Sequence, residues 1–108
     1  MPTFALSGKY TPESLDAVRK TGHGTRQTLA TETLEQLGGK VLAWYWLTSP
    51  EYDFVTIVDL PSTDEVFAIN SFSGATGAFV RTNAVQLRTS EAADAAIARQ
   101  LDWTPPGA

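Results

Sequence analysis

His23 stands between two glycines, in Gly22-His23-Gly24, and is the only histidine in the chain. Its imidazole is the side chain whose ordinary titration falls nearest neutrality, so it can act as a general base on a mobile glycine hinge. It reads equally well as a solvated residue in a broken helix. Asp53, preceded by Tyr52, follows the turn Thr48-Ser49-Pro50-Glu51. A carboxylate there can bind a ligand or hold a proton against an apolar wall, or it can accept turn N–H groups and fix a hairpin. Trp44, Tyr45 and Trp46 form an aromatic run in which the two indoles share a strand face. They can line a pocket for a planar ligand, or anchor a core or an interface. Arg81 lies in a strand with Thr82 and Asn83, where a guanidinium can clamp a carboxylate or pair with an acid at a dimer edge. The candidate catalytic groups are therefore His23 and Asp53, and the candidate ligand-binding residues are Trp46, Tyr52, Asp53 and Arg81.

Other chemistries are excluded by what the chain lacks. Gly74-Ala75-Thr76-Gly77 has neither the lysine nor the spacing of a phosphate loop, and it reads as a turn. No Gly-x-Ser-x-Gly elbow and no dinucleotide fingerprint occurs. With one histidine and zero cysteines there is no thiol catalysis, no disulfide and no donor set for a transition metal, so no metal or cofactor is expected.

The elements that must position these residues follow from patterning. Thr3 to Tyr10, with Phe4, Leu6 and Tyr10 at alternate positions, predicts a strand. Thr11-Pro12-Glu13 supplies an N-cap, a proline at the first helical position and an acidic first turn. That helix carries Leu15 and Val18 and breaks at Gly22-His23-Gly24. It resumes through Leu29, Ala30, Leu34 and Leu37 to a stop at Gly38-Gly39. Lys40 to Leu47 and Tyr52 to Leu60 predict a hairpin closed by a four-residue loop, Thr48 to Glu51. Pairing Leu47 with Tyr52 sets Trp46 opposite Asp53, Trp44 opposite Val55, Leu42 opposite Ile57 and Lys40 opposite Asp59. Val41, Ala43, Tyr45, Phe54, Thr56 and Val58 then form the other face. Ser62-Thr63-Asp64-Glu65 is a capping box opening a helix that ends near Ser73-Gly74. A fourth strand lies within Gly77 to Thr89, and Ser90 caps a last helix running through Leu101.

The order β-α-β-β-α-β plus a terminal helix predicts an α+β, ferredoxin-like fold with a four-stranded antiparallel sheet. The boundaries expected are a domain over 1–89, a C-terminal helix over 90–102 and a tail over 103–108. At 108 residues, 43% apolar and 19% charged, one core is all the chain can build. Eight basic against 12 acidic residues give a net charge of −4, the wrong field for nucleic acid. No apolar stretch is long enough for a membrane helix and no charged n-region precedes an apolar segment, so a cytoplasmic protein is expected. Both faces of the hairpin are apolar, so the face away from the helices is expected to be covered by a second copy in a homodimer or larger homo-oligomer.

Met1-Pro2-Thr3-Phe4, Gly8-Lys9-Tyr10-Thr11, Leu37-Gly38-Gly39-Lys40, Glu51-Tyr52-Asp53-Phe54-Val55 and Ile57-Val58-Asp59 resemble the GYD-domain proteins, over about Met1 to Thr89. Phe79-Val80-Arg81-Thr82 fits the same pattern. The resemblance implies a dimeric α/β barrel without a generally assigned activity. The family's namesake glycine falls where this chain has Ser49-Pro50, which alters the turn. The turn and strand are also similar to the effector-binding domain of leucine-responsive-type regulators, where the aspartate matching Asp53 lies near a small-molecule pocket; their helix-turn-helix domain has no counterpart here. The function expected is a homo-oligomeric module binding a small molecule beside its sheet. The alternative is a cofactor-independent isomerase or monooxygenase, and a third class is a structural unit without a ligand.

Overall fold

The computed structural model describes residues 1–107, in which eight elements follow one another. They are β1 (Thr3–Tyr10), α1 (Pro12–Thr21), α2 (His23–Gln36), β2 (Lys40–Trp46), β3 (Phe54–Asp59), α3 (Thr63–Ala75), β4 (Phe79–Leu87) and α4 (Ser90–Ile97). The strands form one antiparallel sheet in the order β2-β3-β1-β4, the ferredoxin-like arrangement.

Local chemistry starts and stops these helices. The Thr11 hydroxyl accepts the Ser14 N–H, with Pro12 as the first residue of α1. Gly22 takes φ +102°, where L side chains are strained; it ends α1, and its carbonyl accepts the Arg26 N–H as α2 begins. The expected break at Gly22-His23-Gly24 is thus a joint between two helices. Ser62 accepts the Asp64 N–H and donates to the Glu65 carboxylate, completing the capping box of α3. The last helix departs from expectation at both ends. Thr89 is its cap rather than Ser90, accepting the Ala92 N–H, and the helix stops at Ile97 rather than Leu101.

The hairpin register is shifted by a bulge. Lys40 pairs with Asp59 as expected, but Ala43 faces Ile57, Trp44 faces Thr56, Tyr45 faces Val55 and Trp46 faces Phe54. The irregularity lies between Val41 and Ala43, so Leu42 is the extra residue. The turn absorbs the other half of the shift. The Leu47 N–H donates to the Asp53 carbonyl, so five residues, Thr48 to Tyr52, lie between the last bonded pair instead of four. Trp44 and Trp46 consequently leave Val55 and Ile57 and join Phe54, Thr56 and Val58 on the face beneath the helices.

That face carries the core in two clusters. Phe4, Leu6, Leu34, Val58 and Leu60 form one, and Tyr10, Val18 and Phe54 form the other with Trp44, Trp46 and Phe79 packed on it. The second cluster is aromatic: Trp44 stacks on Phe54 at 4.7 Å and Tyr10 on Phe79 at 4.9 Å. Gly8 lies under these rings, and a Cβ there would come within 2.7 Å of Phe79 and 2.8 Å of Phe54. The opposite face carries Ala43, Tyr45, Val55 and Ile57, then Ala5 of β1 and Val85 and Leu87 of β4. Tyr45 is 65% exposed there. Beyond β4, Ile97, Leu101 and Trp103 are exposed as well. The radius of gyration is 16.9 Å, against about 13 Å for a compact chain of this length, so the C-terminal segment projects as an arm.

Replacing Gly8 by Ala is expected to overpack the aromatic cluster and lower unfolding stability by about 1–3 kcal/mol, as read from urea denaturation.

Candidate functional site

The residues singled out from the sequence lie toward one end of the sheet, where β1 ends and β3 and β4 begin. Asp53 is tied into the fold by four hydrogen bonds. Its carboxylate accepts the Tyr10 N–H at 2.8 Å and Lys9 Nζ at 3.2 Å. Its own N–H donates to the Gly8 carbonyl, and its carbonyl accepts from Leu47. Arg81, opposite Lys9 in the register, donates to Glu51 at 3.0 Å on the surface. His23, at the head of α2, meets the Trp46 ring edge-on at 4.6 Å. Tyr52 is half-buried in the turn. The structure therefore joins His23 to Trp46, Asp53 to Lys9, and Arg81 to Glu51, as three separate contacts.

None of these residues lines the cavity of about 100 Å³ that opens between the sheet and helices α2 and α3. Its aromatic wall is Tyr10, Trp44, Phe54 and Phe79, and its roof is α2 through Arg26, Ala30 and Leu34. Arg26, Ala30, Thr33 and Leu34 recur at helical spacing, which brings them to one side of α2. A lone cation in that stripe was the signal in the sequence for this site. Tyr10 read only as the end of a strand, whereas Trp44 is one of the two indoles expected to line a pocket or anchor a core, and it does line the cavity.

The polar groups on the aromatic side of the cavity are these. Arg26 Nε donates to the Tyr10 hydroxyl at 3.2 Å, with the guanidinium carbon 5.9 Å from the ring centroid. Thr56 Oγ1 is satisfied by the Ala43 carbonyl. The indole Nε1 of Trp44 is buried and has no hydrogen-bond partner. Leaving such a donor unsatisfied costs about 1–3 kcal/mol. Burial pushes the Tyr10 phenol above its ordinary pKa of 10.0, an effect that the hydrogen bond and charge of Arg26 partly oppose. Tyr10 is therefore a neutral hydroxyl at pH 7, accepting from Arg26 with its own proton still available.

Two outcomes are expected from this geometry. Asp53→Ala leaves the Tyr10 N–H without its acceptor and should lower stability by about 1–3 kcal/mol in urea titrations, whereas Asp53→Asn, which keeps an oxygen, should lose less. Because the folded-state pKa of Tyr10 is raised, its contribution to stability is present below pH 10 and declines as pH rises through the folded value. Alkaline unfolding curves of Tyr10→Phe should show a shallower decline than those of the parent.

Among the described residues, no group of three or more His, Cys, Asp or Glu side chains is placed to hold a metal ion, and no helix is long and apolar enough to cross a membrane. No curated protein and no solved structure gives a significant match. The family model of the GYD domain matches residues 4–97, from the first core residue of β1 to the last residue of α4. With nearly the whole chain covered and its fold on the page, the chain belongs to the GYD-domain family.

Proposed function

We propose that this GYD-domain chain is a homo-oligomeric module that binds a small molecule in the cavity between the sheet and helices α2 and α3. The observation that carries this reading is the cavity itself, where the Arg26 guanidinium and the Tyr10 hydroxyl meet beside an aromatic wall of Trp44, Phe54 and Phe79. Apolar walls with a few oriented polar groups are the usual composition of a ligand pocket. Binding is favoured over the alternative of cofactor-independent isomerisation or oxygenation by the groups in the wall. His23 and Asp53, the candidate proton carriers, lie outside it, and the Tyr10 phenol is held protonated.

Assembly is the second part of the reading. The sheet face carrying Tyr45, Val55, Ile57, Val85 and Leu87 has an apolar patch beside Ala5, with Ser7, Lys9, Asn83 and Arg81 toward one end, and a second copy of the same face is its natural cover. The projecting arm has the reach to cross onto that copy, bringing Ile97, Leu101 and Trp103 out of water.

Thermal-shift measurements with a metabolite panel test the pocket. At least one small molecule should raise the parent's melting temperature, and Ala30→Leu, which fills the cavity from α2, should remove that response while the chain stays folded. A panel with no hit, or an unchanged response in Ala30→Leu, would refute the cavity as the site. Sedimentation should give a dimer or larger species for the parent, and truncation after Thr89 should shift it toward a monomer, lighter than the 11.7 kDa of one full chain.

A further inference from the structure

Resting on the cavity as the binding site, the geometry points to a small carboxylate as its ligand. The charged group sits on Arg26, with the Tyr10 hydroxyl as a further donor. The carbon skeleton lies against the rings of Trp44, Phe54 and Phe79.

Three observations lead there. The first is charge. The chain has 12 acidic residues against 8 basic ones, yet the residues around this cavity include one cation, Arg26, and no acid. Among the described residues Arg26, Lys40, Arg88 and Arg99 form no ion pair, and Arg26 is the one of these four that lines the cavity. A half-buried guanidinium facing apolar walls is costly without a counter-charge, and a bound anion supplies one.

The second is the donor inventory. Arginine nitrogens only donate, and the Tyr10 oxygen already accepts from Arg26 Nε, so what it has left to give is its proton. With Nε committed to Tyr10, the two terminal guanidinium nitrogens remain, and their fork matches the two oxygens of a carboxylate. Raised by burial, the phenol keeps that proton at neutral pH. Asn70, Ser73, Thr82 and Asn83 on the far side of the cavity offer both donors and acceptors, so the donor-only groups are those gathered around Arg26.

The third is size and wall chemistry. A cavity of about 100 Å³ has room for the carboxylate and short carbon skeleton of a small acid. Stacked rings on one side give a carbon skeleton apolar contact that inorganic phosphate would not use.

Tryptophan fluorescence and calorimetric titrations of the full chain test this with acetate, propionate, pyruvate and lactate. Each is paired with its uncharged amide, and inorganic phosphate is run alongside. At least one carboxylate is expected to bind with its amide about tenfold weaker or worse. Arg26→Gln should weaken that carboxylate about 10- to 100-fold, Arg26→Lys should recover part of the loss, and Trp44→Phe should weaken it about 3- to 10-fold. An amide that binds as well as its acid, or an Arg26→Gln chain that binds undiminished, would overturn the carboxylate assignment while leaving the cavity as a site. Phosphate binding through Arg26 with no carboxylate bound would overturn it too. If the Arg26 variants fail to fold by circular dichroism, the comparison of acid with amide on the parent decides. The absence of binding by any of these acids overturns the assignment, and the cavity reading falls with it only if the wider panel also gives no response sensitive to Ala30→Leu.

Discussion

The bulge at Leu42 governs how this sheet divides its side chains between its two faces. Strand side chains alternate with a period of two, so one extra residue moves everything after it to the other side. Without the bulge, Trp44 and Trp46 would stand beside Val55 and Ile57, away from the helices. With it, Trp44 stacks on Phe54 and Trp46 meets His23 beneath α2. The aromatic wall of the cavity, the contact between the α1–α2 joint and the sheet, and the composition of the open face all follow from that one inserted residue.

Around that wall the fold fixes the end of β1 from two directions. Asp53 holds the Tyr10 backbone and Lys9, so the hairpin turn and β1 move as one unit. Gly8 lets the rings of Phe54 and Phe79 close over the strand where any side chain would push them apart. Tyr10 is thereby set with its ring in the core and its hydroxyl beneath Arg26. The Asp53 carboxylate thus supports a residue that faces the cavity.

The remaining surface is unusual for a single chain. One sheet face carries an apolar patch of Tyr45, Val55, Ile57, Val85 and Leu87, and Ile97, Leu101 and Trp103 beyond β4 are exposed. The homo-oligomer proposed above would cover both. The cavity lies on the opposite side of the sheet from that patch.

The sequence by itself determined the elements, their order and the caps of α1 and α3, because those depend on neighbours within four residues; the cap of α4 lies one residue earlier than expected, at Thr89. Thr11-Pro12, Ser62 with Glu65, and Gly38-Gly39 act as local chemistry dictates. It also determined the resemblance to the GYD-domain family, which the family model bears out over residues 4–97. Only the tertiary structure decided which face the indoles occupy. A bulge has no distinctive residue in Val41-Leu42-Ala43; it is fixed by pairing β2 and β3 under the helices, where Lys40 must meet Asp59 while Trp46 meets Phe54. For the same reason Arg26 and Tyr10 could not be joined from the sequence. They lie on a helix and a strand, and only the packing of α2 on the sheet brings the guanidinium to the phenol and both to the rim of a cavity.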